Sequence, residues 1–325
     1  MDPRNAKQAA RELLEQAVHD PKKLALFYAG ASVIFSLVCS LLSYALSIAA
    51  DDATGLSGLA TRSLLESGQF VISLASTFLL TFWQMGLIAT ALSYAKREHV
   101  DYQTLMGGFR RWGAVIRLSL MLLIVVIGVT MLCSYIATFV FTISPFSDKF
   151  AEKLLSFTDS SGNITASPEV IASQLLPHMG WLVVIFLVVM LVVALPFLYK
   201  YRMSEFALMD GAPGAFAAIR ESKQLAQYNR MGMFKLDLSF WWFYLLMLLA
   251  GAVGYADVLL PELGVKLPIN ADLVFWISYI LSLGLQFLIT WQFAFRYQTA
   301  FAVYYNRLKE DAQRPFIVDA PQNQW

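Results

Sequence analysis

Six polar side chains lie where long apolar runs of the sequence meet charged connections. A polar group at the edge of an apolar run is costly unless it pairs with another group or binds a polar ligand. Arginine, carboxylate and amide groups at one level suit the headgroup of a lipid or a small anion. The alternative is pairing between helices, or side chains that extend to water from the span ends. The six are Gln84, Arg117, Glu205, Asp237, Gln292 and Arg296.

Asp237 and Arg296 are the first pair that we expect within this candidate polar site. Asp237 precedes one apolar run and Arg296 follows another, and neither run contains a charged residue. A guanidinium group can hold a carboxylate through two parallel hydrogen bonds. The sequence therefore predicts an ion pair between these two residues.

Motifs of enzyme chemistry are missing from the sequence. It contains no His-Glu-x-x-His, no Gly-x-Ser-x-Gly and no Gly-x-x-x-x-Gly-Lys-Ser/Thr pattern. His19 and His99 fall in interfacial segments, and His178 lies in a loop without a nearby acidic residue. Cys39 and Cys133 fall inside apolar runs, where we expect small apolar packing residues rather than a disulfide or metal pair. We therefore expect no enzyme activity, no cofactor and no metal.

Six apolar runs must position these side chains. A helix crosses a ~30 Å hydrocarbon core with ~20 residues, and each run is long enough. Hydrophobic residues make up 58% of the chain and charged residues 14%, whereas soluble domains carry about 25% charged residues. We predict an all-α polytopic transmembrane helical bundle with six spans and interfacial amphipathic helices. The runs are Leu24–Ala50, Ser67–Ala95, Leu118–Ser147, Val170–Tyr199, Leu238–Ala256 and Leu273–Phe295.

Positive charge lies almost entirely on one side of this topology. Of the 24 lysine and arginine residues, 20 fall in the N-terminal segment, the even-numbered connections and the tail. Connections rich in lysine and arginine stay in the cytoplasm, so we predict a plasma-membrane protein with both termini cytoplasmic. The longest loop on the other side, 148–178, carries the sequon at Asn163 and predicts short helices at 148–157 and 168–176.

Two amphipathic segments accompany the spans. Residues 3–19 place their alanines and leucines on one face, which predicts a helix lying on the membrane before Asp20-Pro21 begins the first span. The second segment, 213–228, is predicted to lie at the cytoplasmic interface or to bind a protein partner. The predicted organisation is an interfacial helix at 1–20, a membrane domain at 21–310 and a tail at 311–325. Gly86 and the stretch Ala250–Gly254 predict close approach between helices.

The stretch from Tyr199 to Leu246 carries the most specific pattern of the chain. It contains Tyr201, Ser204, Ala207-Leu208-Met209-Asp210, Ala218-Ile219-Arg220-Glu221-Ser222-Lys223 and Phe234-Lys235-Leu236-Asp237-Leu238-Ser239-Phe240-Trp241-Trp242. Weaker patterns are Trp83–Leu87, Gly108–Arg111 and Thr299–Tyr305. In these patterns the chain resembles the bacterial domain-of-unknown-function family 975, which consists of polytopic membrane proteins. Leu195-Pro196-Phe197 keeps the family's proline near the exit of span four but lacks its glycine. The resemblance implies a multi-span helical fold and no established activity.

These observations leave three classes of function. The favoured one is a non-enzymatic membrane protein that handles a small or lipid-like substrate or scaffolds a membrane complex. The second is a permease subunit that works with a separate ATPase, which would bind the helix at 213–228. The third is an intramembrane enzyme, although the sequence shows no catalytic pair. Membrane lipids are the expected partners, and no nucleic-acid binding is expected.

Overall fold

The computed structural model describes most of the chain, and in that part it contains helices and turns without strands. The described residues are 3–17, 20–51, 55–157, 180–227, 229–262 and 270–313. Several features predicted from the sequence lie outside them, namely His19, the sequon at Asn163, the helix at 168–176, His178 and the tail beyond Gln313.

Fifteen α-helices are distinguished in the described ranges, together with one π-helical and one 3-10 segment. Those before the long loop are α1 (Pro3–Glu15), α2 (Pro21–Asp51), α3 (Gly55–Ala95), α4 (Tyr102–Leu105), α5 (Gly107–Arg110), α6 (Trp112–Thr142) and α7 (Pro145–Leu155). Those after it are α8 (180–189), the π segment Met190–Ala194, α9 (Leu195–Leu198), the 3-10 segment Tyr199–Tyr201, α10 (Ser204–Met209), α11 (Ala215–Ala226), α12 (Arg230–Leu238), α13 (Trp241–Gly254), α14 (Ala256–Glu262) and α15 (Ala271–Gln313).

The long apolar helices confirm an all-α polytopic bundle. Five described helices are long and apolar enough to cross a membrane, and a sixth span results if the bent pair α12 and α13 is counted as one. The five are Pro21–Ala50, Ala60–Ala95, Trp112–Thr142, Gly180–Met209 and Leu273–Gln313. Each apolar run predicted from the sequence thus overlaps one of these helices or the bent pair.

The fifth predicted span is not one straight helix, because it is bent by 56° between α12 and α13. The chain turns at Ser239, whose Oγ donates to the carbonyl of Leu236 at 2.6 Å. The Ser239 carbonyl in turn accepts a hydrogen bond from Lys7 Nζ of α1. Since α13 alone is only ~21 Å long, it needs part of α12 to match the ~30 Å core.

The fourth span contains a proline, and the helix widens just before it. Pro196 has no N–H to donate, and its ring crowds the preceding helical turn. The π segment Met190–Ala194 comes directly before the short helix α9 that contains Pro196. A π segment adds one residue to a helical turn. This extra residue lets the helix continue past a proline without ending.

The described chain forms two compact units. Unit 1 comprises Met1–Leu118 and Met203–Trp325, and unit 2 comprises Ser119–Arg202. In unit 2, Val129 and Cys133 of α6 pack with Ala194 in a small buried cluster. Many of the other apolar side chains of α6 and α8 are exposed, as expected for helices whose solvent is lipid. Cys39 and Cys133 are both free, as expected from the sequence.

Unit 1 has its tightest packing at one end of its long helices, which we call the compact end. Here α1, α4, α5 and α10–α12 surround the start of α2 and the C-terminal ends of α3 and α15. Its largest fully buried side chains include Met85, Phe206, Phe301, Tyr304 and Tyr305. The other halves of α2, α3 and α15 lead away from this core to what we call the opposite end.

Glycines allow the backbones to meet inside the compact end. A Cβ atom added at Gly86 of α3 would lie 1.7 Å from the carbonyl oxygen of Leu105. A Cβ at Gly108 of α5 would lie 2.0 Å from the carbonyl oxygen of Phe82. The close approach predicted at Gly86 is therefore confirmed, and it fixes α4 and α5 against α3 through two backbone contacts.

The apolar faces of both amphipathic helices are packed against the protein. On α1, Ala6 and Ala10 are buried at the contact with α15 and α12. On α11, Ala218 and Leu225 are buried, and the Ser222 hydroxyl accepts a hydrogen bond from the Met203 N–H at 3.1 Å. Hydrophobic periodicity predicts which face is buried, but not whether lipid or protein buries it.

Candidate functional site

The structure does not gather the six candidate polar residues into one cluster. Gln84 on α3 and Arg117 on α6 are exposed, and Glu205 is half-buried on α10. Gln292 and Arg296 line one groove together at the compact end. Asp237 is buried elsewhere in that end. Gln292 and Arg296 in the groove and Asp237 in the interior are thus two separate polar arrangements.

Asp237 of α12 accepts hydrogen bonds from two tyrosines instead of the predicted arginine. The hydroxyls of Tyr244 and Tyr297 each lie 2.7 Å from Asp237 Oδ1 and 2.7 Å from one another. The aspartate is only 8% exposed. No ion pair joins it to Arg296 in the described part of the chain, so the predicted pair is wrong.

Helix geometry explains this correction. Neighbouring residues of a helix point about 100° apart, so Arg296 and Tyr297 of α15 cannot both face α12. Tyr297 takes the position toward Asp237, and Arg296 points into the groove beside α1. A buried carboxylate can be satisfied by hydroxyl donors as well as by a cation.

The groove that contains Arg296 lies between α1, the start of α2 and α15, and we call it the α1–α2–α15 groove. Its volume is about 590 Å³. Trp291 reaches across it, since its indole N–H donates to the Lys22 carbonyl at 3.2 Å. The lining residues are Arg11, Leu14, Glu15, Ala17, Asp20, Pro21, Lys22, Ala25, Trp291, Gln292, Phe295 and Arg296.

The acidic groups of this groove already have partners. Glu15 pairs with Arg11 at 2.7 Å along the exposed side of α1. Asp20 Oδ1 accepts the backbone N–H of Lys22 at 2.9 Å and caps α2, as the sequence predicted. Among the described residues, neither Lys22 nor Arg296 forms a side-chain ion pair. The groove can therefore offer two cations and the amide of Gln292 to an anion.

A third polar arrangement, which the sequence did not predict, surrounds Asp210 at the end of α10. Its side chain is 4% exposed and receives Lys96 Nζ at 2.5 Å and Lys309 Nζ at 2.5 Å, one on each oxygen. The Tyr305 hydroxyl lies 3.0 Å from Asp210 Oδ2 and 2.6 Å from Glu221 Oε1, so its one hydrogen can be donated to either carboxylate. This Asp210 cluster links the ends of α3, α10, α11 and α15.

Local backbone structure positions Lys96 and Asp210 in this cluster. Lys96 directly follows α3, and the next residue, Arg97, has a positive φ of 59°. The Glu98 N–H returns to Ser93 O and the Arg97 N–H to Tyr94 O, which closes the helix end. Arg111 donates to the carbonyls of Leu208 and Ala212 and so holds the turn that carries Asp210.

The charges of the cluster favour ionised Asp210. Burial opposes the charged form, but the ammonium groups of Lys309 and Lys96 outweigh it and hold the pKa of the Asp210 carboxyl below its usual range. At neutral pH the aspartate is therefore a permanent anion between two cations. The ionised carboxylate accepts hydrogen bonds that brace the helix ends, and it has no proton of its own to donate.

One sequence signal could have identified this cluster. Asp210, Glu221 and Ser222 all belong to the patterns that carry the family resemblance, as does Asp237. Three of these four side chains are buried polar groups at the compact end. In this chain, polar residues within the family patterns therefore identify the buried hydrogen-bonding framework. Charged residues at the edges of apolar runs do not identify it by themselves.

The fold defines the class of this chain as a polytopic all-α membrane protein with a compact, polar-braced end. Residues 1–312 match the family model described as "Protein of unknown function (DUF975)". The chain belongs to this family, and the resemblance inferred from the sequence is confirmed. The comparisons find no match among curated proteins or solved structures.

Proposed function

We propose that this chain is a non-enzymatic protein of the plasma membrane that binds the headgroup of an anionic lipid in the α1–α2–α15 groove. The observation that carries the proposal is the pair of cations, Lys22 and Arg296, that remain unpaired by described side chains in a groove of about 590 Å³. A lipid phosphate takes hydrogen bonds from arginine and lysine and from the amide of Gln292.

The position of the groove along the helix axes supports binding of a lipid headgroup. Lys22 precedes the apolar run of α2, and Arg296 follows that of α15, so both cations lie at the boundary of the hydrocarbon. Trp291 places an indole at this boundary, where tryptophan is common in membrane proteins. Leu26, one turn beyond Lys22, and Leu288, about two turns before Arg296, are exposed and offer apolar surface to the acyl chains.

The charge distribution supports an orientation in which the compact end faces the cytoplasm. Lys22, Lys96, Arg296 and Lys309 all lie at that end, and the positive-inside rule places such residues in the cytoplasm. Reporter fusions at Asn163 and at Trp325 test this topology. We expect the two reporters on opposite sides of the membrane, and finding them on the same side would contradict the even-span topology.

Lipid retention in native membrane patches tests the binding proposal. We expect wild-type protein to retain anionic lipid over zwitterionic lipid, measured by mass spectrometry of the extracted patches. Each of Arg296→Gln and Lys22→Gln should weaken this preference about fivefold, because a basic residue near the surface contributes ~1 kcal/mol. Arg62→Gln is the matched control, since Arg62 pairs with Glu66 in an exposed pair of α3 outside the groove.

The same patches separate the proposal from the permease alternative. Equal lipid ratios for wild type, Arg296→Gln and Lys22→Gln would reject the headgroup site. Retention of an ATPase subunit with stoichiometric yield would favour the permease class instead. In that case the outer side of α11, where Phe216 is 75% exposed, would be the contact to test first.

A further inference from the structure

A cleft lies at the opposite end of unit 1, between α2, α3 and α15, and we call it the hydroxyl cleft after the serine and tyrosine hydroxyls among its aromatic and apolar lining residues. It has a volume of about 530 Å³ and no charged residue among its lining side chains. Pockets for small ligands usually have ~300–1,000 Å³. The lining residues are Cys39, Ser40, Ser43, Tyr44, Ser47, Gln69, Ile72, Ser73, Ser76, Phe275, Trp276 and Tyr279.

The hydroxyl cleft is distinct from the α1–α2–α15 groove. Along the axis of α2, Ser43 lies ~30 Å from Lys22, which is about the thickness of the hydrocarbon core. The cleft therefore lies near the second boundary of the membrane. The cleft and the groove have no lining residue in common.

Some of the cleft's polar groups hold the three helices together. The hydroxyls of Ser40 and Tyr279 share a hydrogen bond between α2 and α15. Gln69 of α3 donates to the Ser43 carbonyl of α2 at 3.1 Å. These contacts fix the cleft walls on three rigid helices, as a preformed binding site requires.

Other polar groups of the cleft are left open. In the described part of the chain, the side-chain hydroxyls of Ser43 and Ser73 form no hydrogen bond. Helix packing does not explain them, because serines that join helices do so where the backbones touch. Here the helices leave a cleft of about 530 Å³ between them. Hydroxyls facing such a space need water or a ligand as partner.

We infer that the hydroxyl cleft binds a neutral, polyhydroxylated group, namely the glycosyl part of a sugar or of a glycolipid. An anion or a cation would find no opposite charge on the lining residues. An acyl chain would bury hydroxyls without partners, which is costly. A sugar both donates and accepts hydrogen bonds without net charge, and so matches serine and tyrosine hydroxyls and the Gln69 amide.

The aromatic side chains of the cleft suit the apolar faces of a sugar ring. Trp276 and Tyr44 meet edge to face, with ring centroids 5.0 Å apart. Phe275 stacks on Tyr279 at 6.1 Å. The Tyr44 side chain remains 37% exposed, so one aromatic surface is open to a bound ring. Such amphipathic rings combine an apolar face with a polar edge.

Two nonionic probes with the same alkyl chain test this inference. The full-length protein in nanodiscs is titrated with octyl β-glucoside and, separately, with octyl tetraoxyethylene, both below their micellar concentrations, and bound adducts are counted by native mass spectrometry. We expect the glucoside to bind about tenfold more tightly, since its ring carries four hydroxyl donors and the tetraoxyethylene headgroup only its terminal one. Displacement of the bound octyl β-glucoside by methyl β-glucoside supports a soluble sugar as the source, and octyl β-glucoside binding that methyl β-glucoside does not displace supports a glycolipid.

A double variant and a matched control complete the test. Ser43→Ala with Ser73→Ala removes two open hydroxyls and no described contact, so the fold should persist, and the preference for the glucoside should fall about tenfold. Ser67→Ala is the control, because Ser67 lies on α3, bonds to the Ser63 carbonyl and does not line the cleft. Equal binding of the two probes by the wild type, or an unchanged preference in the double variant, would overturn the inference.

Discussion

Gly86→Ala is expected to prevent folding of unit 1 or to lower the free energy of unfolding by more than ~3 kcal/mol. The added Cβ would lie 1.7 Å from the carbonyl oxygen and 2.7 Å from the carbonyl carbon of Leu105. These atoms are backbone, so no side-chain rotation can relieve the overlap. The helix α4 would have to move away from α3. Fluorescence-detected size-exclusion chromatography over a heating series measures both folded yield and thermal stability.

Gly128→Ala is the matched control for this prediction. Gly128 lies in an apolar membrane helix, and a Cβ added there meets nothing within 4 Å. Alanine should therefore change stability by no more than ~1 kcal/mol, the ordinary difference in helix propensity. If the Gly86 and Gly128 variants show equal yield and equal unfolding temperature, the backbone contact at Leu105 does not support the fold.

Asp210→Asn is expected to lower the free energy of unfolding by ~2–3 kcal/mol. The change keeps the shape of the side chain and removes the charge that faces Lys96 and Lys309. Removing one partner of a fully buried ion pair usually costs more free energy of unfolding. Here both lysines are over a third exposed, so their hydration compensates part of the lost interaction. Adding Lys309→Met should restore part of the stability, and a double-mutant cycle measures that coupling.

The pH dependence of this loss has a definite sign. The Asp210 pKa is lowered in the folded protein, so its contribution is complete above the unfolded pKa of about 3.9. It disappears as the pH falls through the lower folded pKa. The stability difference between wild type and Asp210→Asn should stay constant from about pH 8 to 5 and shrink below about pH 4.

An exposed carboxylate provides the control for Asp210. Glu66 pairs with Arg62 at 2.9 Å on the surface of α3, with both side chains more than half exposed. Glu66→Gln should change stability by no more than ~0.5 kcal/mol. Equal losses for Glu66→Gln and Asp210→Asn would show that the Asp210 cluster is an ordinary surface pair and does not brace the helix ends.

Asp237 shows how far charge patterns in a sequence can predict a site. Its place at the edge of an apolar run correctly marked an acidic residue of the compact end. The partner was wrong, because a search among charged residues overlooks hydroxyl donors such as Tyr244 and Tyr297. Tyrosines inside apolar runs look like ordinary membrane residues until the helices are brought together.

The sequence by itself determined the class of the protein, its apolar helices, its family and the close approach at Gly86. These follow from local composition, because length and hydrophobicity suffice to make a helix that can cross a membrane. Only the tertiary structure decided what each surface contacts. Amino-acid composition indicates how favourably a segment leaves water, and lipid tails are as apolar as a protein core. Composition therefore could not show what the apolar faces of α1 and α11 contact. The Asp210 cluster and the hydroxyl cleft join residues from distant parts of the chain, and only packing of the helices brings them together.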